Sequence, residues 1–118
     1  MDLVAADLAR LEAINAAMRD ETAIAAAAEL DYRFHATLVD LVRNRTLSDI
    51  YRLLKPVILR LMLLGKNRRP ALTDTFAAHA EIIEALRRRD RVAFAYLMSR
   101  HLEFGARFLG DAEPPAIA

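Results

Sequence analysis

The chain of 118 residues has no cysteine and no tryptophan, and only 3 glycines and 4 prolines. Without thiols there is no disulfide frame, no thiolate metal site and no cysteine nucleophile. Any metal must therefore be held by nitrogen and oxygen. The scarcity of glycine, proline and β-branched residues beside abundant alanine, leucine, arginine and glutamate favours helices before any pattern is read. No apolar run approaches the roughly 20 residues that span a bilayer. The stretch Met1 to Arg10 lacks the charged-then-apolar layout of a signal peptide, so a cytoplasmic location is the expectation. A formal charge of +1 provides no broad basic field for nucleic acid. What is present, 55% hydrophobic and 28% charged residues, fits one domain with a single core.

Hydrophobic spacing predicts five helices and no strand. The first covers about Asp2 to Arg19, with Leu3, Leu8, Leu11, Ile14 and Met18 on one side. The second, about Thr22 to Arg43, carries Ile24, Ala27, Ala28, Phe34, Leu38, Leu41 and Val42. Thr46 with Asp49 resembles a capping box for the third, which reaches about Leu64 and is expected to bury Leu47, Ile50, Leu54, Val57, Ile58 and Leu61. Pro56 lies inside it and should kink it. Gly65 and Asn67 read as C-terminal caps, and Pro70 marks the next start. The fourth spans about Ala71 to Arg88, and Asp90 caps a fifth, about Arg91 to Leu109. The expected architecture is all-α, an antiparallel helical bundle over residues 1–110 with a short tail at 111–118.

Placing the polar residues on these helices gives the strongest functional signal. Asp31 and His35 are four apart and stack one turn over the other, in the middle of the second helix's apolar stripe. A buried carboxylate is costly unless paired, hydrogen-bonded or bound to metal. His79 sits among Leu72, Phe76, Ile82, Ile83 and Leu86. His101 sits among Phe94, Leu97, Met98, Phe104 and Phe108. Each histidine alone is more often a hydrogen-bonded core residue than a ligand. Together, all 3 histidines of the chain occupy core positions on three helices, and with Asp31 they make one set of three nitrogens and an oxygen. Such donors suit a divalent metal, zinc first, with nickel, manganese, cobalt or iron as alternatives. The spacing leaves open whether four ligands close a tetrahedron or leave positions for water or a carboxylate. Each ligating histidine is expected to find an acceptor for its second nitrogen.

These residues carry a resemblance. Asp31-Tyr32-Arg33-Phe34-His35 is similar to the D-x-x-F-H motif of the FCD domain, the C-terminal effector-binding domain of FadR-type regulators in the GntR superfamily. Arg43-Asn44-x-x-Leu47, His79-x-x-Ile82-x-x-Ala85-Leu86-x-x-x-Asp90 and Ala95 followed by His101-Leu102 resemble three further family segments, in order. The resemblance covers roughly Leu8 to Leu109. It implies that Asp31, His35, His79 and His101 bind a divalent ion inside the bundle, that a small organic acid binds beside the metal, and that the domain forms homodimers. It also implies that the signal passes to a winged helix-turn-helix that reads DNA. Two departures stand out. Ala78 replaces the glutamate common before the second histidine, and the chain begins at what resembles the family's second FCD helix. The first FCD helix and the winged helix-turn-helix thus have no counterpart, and no direct DNA contact is expected from these residues.

Other features read more plainly. Arg87-Arg88-Arg89 closes a helix, where the dipole favours cations. Arg52 and Arg60 lie at the edge of the third helix's stripe and are the candidates for an effector carboxylate, with Lys55 near them. Tyr32, Tyr51 and Tyr96 are possible hydrogen-bond donors. A metal-dependent sensor is the expected function. The alternative, a small metal-dependent hydrolase, needs a general base, and Glu29 and Glu103 both sit off the core faces. A metal-free scaffold is the third option. Without a spare base, no enzymatic activity is expected.

Overall fold

The computed structural model describes residues 3–68 and 73–110, with only the backbone for 67–68, 73–74 and 104–110. Pro70, Leu72 and the 111–118 tail lie outside the described residues, and the side chains of Phe104 and Phe108 are not described. Six helices and no strand are found among the described residues: α1 (Ala5–Asp20), α2 (Ile24–Asp40), α3 (Arg45–Leu53), α4 (Lys55–Arg68), α5 (Thr73–Arg87) and α6 (Arg91–Gly110). The all-α expectation holds, with one helix more than expected.

The additional helix comes from Pro56. Where one kinked helix is expected from Thr46 to Leu64, the chain breaks at Leu54 into α3 and α4. Proline at 56 cannot donate to the carbonyl of Arg52, and its ring crowds that carbonyl. In the first turn of a new helix the missing N–H costs nothing, and Pro56 lies in the first turn of α4. The N-cap of α3 also differs. Asn44, not Thr46, accepts the Leu47 N–H at 3.1 Å. It follows Arg43, whose positive φ of 59° turns the chain between helices. Asp90 caps α6 as expected, accepting from the Ala93 N–H at 3.0 Å.

Five helices close a ring. α1 packs on α2 and α5, α2 on α4, α4 on α6, and α6 on α5. α3 lies outside, against α2 and α4. Leu11 and Ile14 of α1, Phe34, Leu38 and Leu41 of α2, and Ile82, Ile83 and Leu86 of α5 form the buried core, with Phe94, Leu97 and Met98 of α6 against it. Asn15 ties α1 to α5 by donating to the Phe76 carbonyl at 3.1 Å.

The stripe on the third predicted helix behaves differently. Leu47, Ile50, Leu54, Val57 and Leu61 are expected to be buried, yet each is exposed, as is Leu53 at 79%. An amphipathic period shows that a helix has an apolar face. It does not say that this chain covers it. The helix end also departs from expectation: Gly65 and Asn67 are not caps, because α4 runs on to Arg68. That extra turn matters for the site.

Candidate metal centre

The apolar core ends at a polar cluster inside the ring. Along α2, Phe34 belongs to the core and His35 lies beside it. Along α5 the sequence passes from Leu86, Ile83 and Ile82 to His79, and along the antiparallel α6 from Phe94 and Met98 to His101. Asp31, one turn before His35, completes the set. All four residues come together, and one ligand atom from each lies within 4.8 Å of the others.

Their geometry is a ring of donor atoms. Asp31 Oδ1 stands 3.2 Å from His35 Nε2 and 3.3 Å from His79 Nε2. His79 Nε2 is 3.2 Å from His101 Nε2, which is 3.3 Å from His35 Nε2. Each of these contacts needs a proton or a cation between its two lone-pair-bearing atoms, and a single divalent ion would serve all four at once. Neighbouring donors on one divalent ion are separated by roughly 3 Å, close to these four contacts, and the spread of up to 4.8 Å across the set fits donors around a shared ion without selecting a tetrahedron. The donor set and its spacing fit a divalent metal. His79 is fully buried, and Asp31 and His101 are nearly so.

The electrostatics follow from burial and proximity. Burial alone would raise the Asp31 carboxyl, but hydrogen bonds and charge from His35 and His79 overcome it and hold it well below the usual carboxylate range. Burial is also the main cause that lowers His79, to about 4; the neighbouring His35 and Lys66 charges add to it, against Asp31. His79 is therefore neutral near pH 7, as a metal ligand must be.

Support for the His79 ring differs from expectation. The buried Nδ1 of His79 has no hydrogen-bond partner among the described residues. Its ring is held instead by Phe34, stacked 3.8 Å away and parallel within 1°. Among the described residues α2 and α5 meet through side chains across the ring: in the shared core, in this stack and in the Asp31–His79 contact.

One residue of the cluster is absent from the sequence reading. Lys66, on the last turns of α4, is buried, and its Nζ lies 3.1 Å from Asp31 Oδ2. The spacing Leu59, Met62, Leu63, Lys66 was the available signal, since it continues an inward face by one turn. Ending the helix at Leu64 hides it.

The remaining candidates are not among the four donors. Arg52 is exposed and directed to Asp40 at 3.2 Å and Asp49 at 3.8 Å. Arg60 is exposed on α4. Lys55 binds Glu29 at 2.8 Å and lies over the Tyr32 ring. Tyr32 stacks on Tyr51 at 5.2 Å, and its hydroxyl is buried without a hydrogen-bond partner among the described residues. Burial, with the charges of Tyr32 and Asp31, raises the Tyr51 hydroxyl. Tyr96 is exposed beneath Arg100. Of the arginine run, Arg87 pairs with Glu84 and Glu12, and Arg89 donates to the Leu3 carbonyl.

No curated protein and no solved structure is matched by the chain. The FCD domain family, by contrast, matches residues 2–104, nearly all of the bundle. The chain belongs to the FCD domain family, the C-terminal effector-binding domain of FadR/GntR-type transcription regulators.

Proposed function

We propose that this domain is a metal-dependent sensor of a small organic acid. Asp31, His35, His79 and His101 hold the divalent ion, with zinc the first candidate. The observation that carries the reading is the convergence of four donor atoms from three helices, with successive contacts of 3.2–3.3 Å. When bound, the ion supplies a Lewis-acidic centre that a carboxylate can complete. The protein's part is to hold the donors, keep His79 neutral and wall the site with Phe34 and the apolar core. Occupation of the site joins α2, α5 and α6, and the response passes to the DNA-reading part of a regulator.

The hydrolase alternative has little to support it, because the two candidate bases are engaged or exposed: Glu29 pairs with Lys55, and Glu103 is exposed. Arg52 and Arg60 enter as candidates for the outer carboxylate of a longer acid, and Arg52 would have to leave Asp40 to serve. Self-association is part of the proposal. The exposed Leu47, Ile50, Leu53, Leu54 and Val57 on α3 and the start of α4 offer the apolar surface that a second copy would cover.

A thermal-shift screen of organic acids, with and without chelator, tests the sensing role. At saturation the zinc-loaded domain should melt higher with an acid than without it, and chelator should abolish the gain. Acids that shift the melting point equally in the presence of chelator would refute metal-dependent sensing.

A further inference from the structure

A buried lysine stands beside the four donors without being one of them. Among the described residues the buried carboxylate and amine side chains are Asp7, Asp31 and Lys66. Asp7 is occupied by Arg10 and Arg43 at 2.9 and 3.1 Å. Asp31 is divided: its Oδ1 faces His35 and His79, while its Oδ2 faces Lys66 at 3.1 Å. An ammonium so far from water is tolerated only beside a counter-charge. Its side chain is 2% exposed.

We infer that Lys66 is a positioning residue that confines Asp31 to metal binding through Oδ1, and that its charge selects dianionic acids as the site's ligands. This rests on the proposed metal site. The charge count is simple. Asp31 and Lys66 cancel, and the histidines are neutral when they bind metal. A divalent ion therefore leaves the buried centre with two positive charges, where an aspartate without the lysine would leave one. No other buried carboxylate among the described residues is free to neutralise them. A ligand can supply the counter-charge, and an acid with two carboxylates supplies it in one molecule. The hydrogen bond from Lys66 also keeps Oδ2 off the metal, leaving a coordination position that a bidentate Asp31 would fill.

Cobalt(II) is a suitable probe, because its visible absorption reports coordination number. The parent domain, Lys66→Met and Lys66→Arg are titrated with cobalt(II), and the loaded proteins then with malonate and with acetate. Lys66→Met should bind cobalt(II) at least as tightly as the parent, and its absorption should change as Oδ2 becomes available. Its preference for malonate over acetate should fall by about tenfold or more, the effect expected of one nearby charge in a partly screened site. Lys66→Arg should keep most of the preference. If Lys66→Met does not fold, Lys66→Gln, which keeps a hydrogen-bond donor for Oδ2 without the charge, makes the same comparison. An unchanged malonate-to-acetate ratio in the uncharged variant would overturn the inference while leaving the metal site intact. Loss of cobalt(II) in the uncharged variant but not in the parent would also overturn it, because Lys66 would then be needed to build the site. A parent that takes up no cobalt(II) removes the metal reading, and this inference with it.

Discussion

Two buried aspartates in this bundle face opposite demands. Asp7, 2% exposed, sits in the first turn of α1, where it accepts the Val4 N–H at 3.1 Å and pairs with Arg10 and Arg43. Both arginines are about half exposed, and the Arg43 pair ties α1 to the turn between α2 and α3 at the protein surface. Asp31, 7% exposed, has no such outlet. Its neighbours are imidazoles and a buried ammonium, and its Oδ1 points at two nitrogens that both want a cation. A buried carboxylate that is fully served by N–H donors is architecture. One whose Oδ1 converges with three imidazole nitrogens belongs to a donor set that could hold a metal ion. The chemistry of the partners, more than burial, separates the two.

Substitution should separate them as well. Asp31→Ala is expected to weaken metal binding by more than about 100-fold, since loss of even an outer partner of a ligand costs 10–100-fold. Asp7→Ala should leave metal affinity unchanged and destabilise the fold by about 1–3 kcal/mol, from the lost cap and charge-assisted hydrogen bonds. Calorimetric titration of metal, with urea denaturation of the metal-free proteins, checks both. Similar metal affinities in the two variants would erase the distinction.

The pH dependence of the metal-free domain sharpens the contrast. In the unfolded chain His79 takes its proton near the ordinary value of 6.5, but in the fold only near about 4. As pH falls, the unfolded state therefore binds that proton first. Stability due to His79 is present above about pH 6.5 and is lost progressively down to about pH 4, with a slope approaching one proton. Urea denaturation at pH 7, 5.5 and 4.5 should show this decline, and His79→Phe should flatten it.

The smallest expected effect on stability lies on the exposed face of α3. Leu53→Glu should change the stability of the monomer by no more than about 0.5 kcal/mol, as for most surface substitutions. If a second copy covers this face, the same change should convert dimer to monomer in sedimentation equilibrium. A dimer that survives Leu53→Glu and Val57→Glu together would place the contact elsewhere.

Much of this is legible in the sequence, for specific reasons. Asp31, His35, His79 and His101 can be found because each interrupts an apolar stripe, and a polar residue on the wrong face is visible without a structure. Lys66 escapes notice because Gly65 and Asn67 look like helix stops, and because a lysine near a helix end is normally solvated. Asp7 escapes it because its partner Arg43 lies at the far end of the next helix, and no local spacing connects them. The stripe of α3 and the start of α4 is real as a stripe but is not core. Periodicity belongs to one helix, whereas burial depends on what the rest of the chain, or a second chain, places against it. Pro56 announces a disturbance, but whether a helix bends or breaks depends on the residues on either side.

The central claim is the metal itself, and the most direct measurement is metal content. Untagged protein, reconstituted with zinc and freed of excess, should carry one ion per chain by inductively coupled plasma mass spectrometry. His79→Ala and His101→Ala, handled identically and shown to be folded, should carry almost none. Equal metal in the parent and both variants, or none in the parent, would contradict the account.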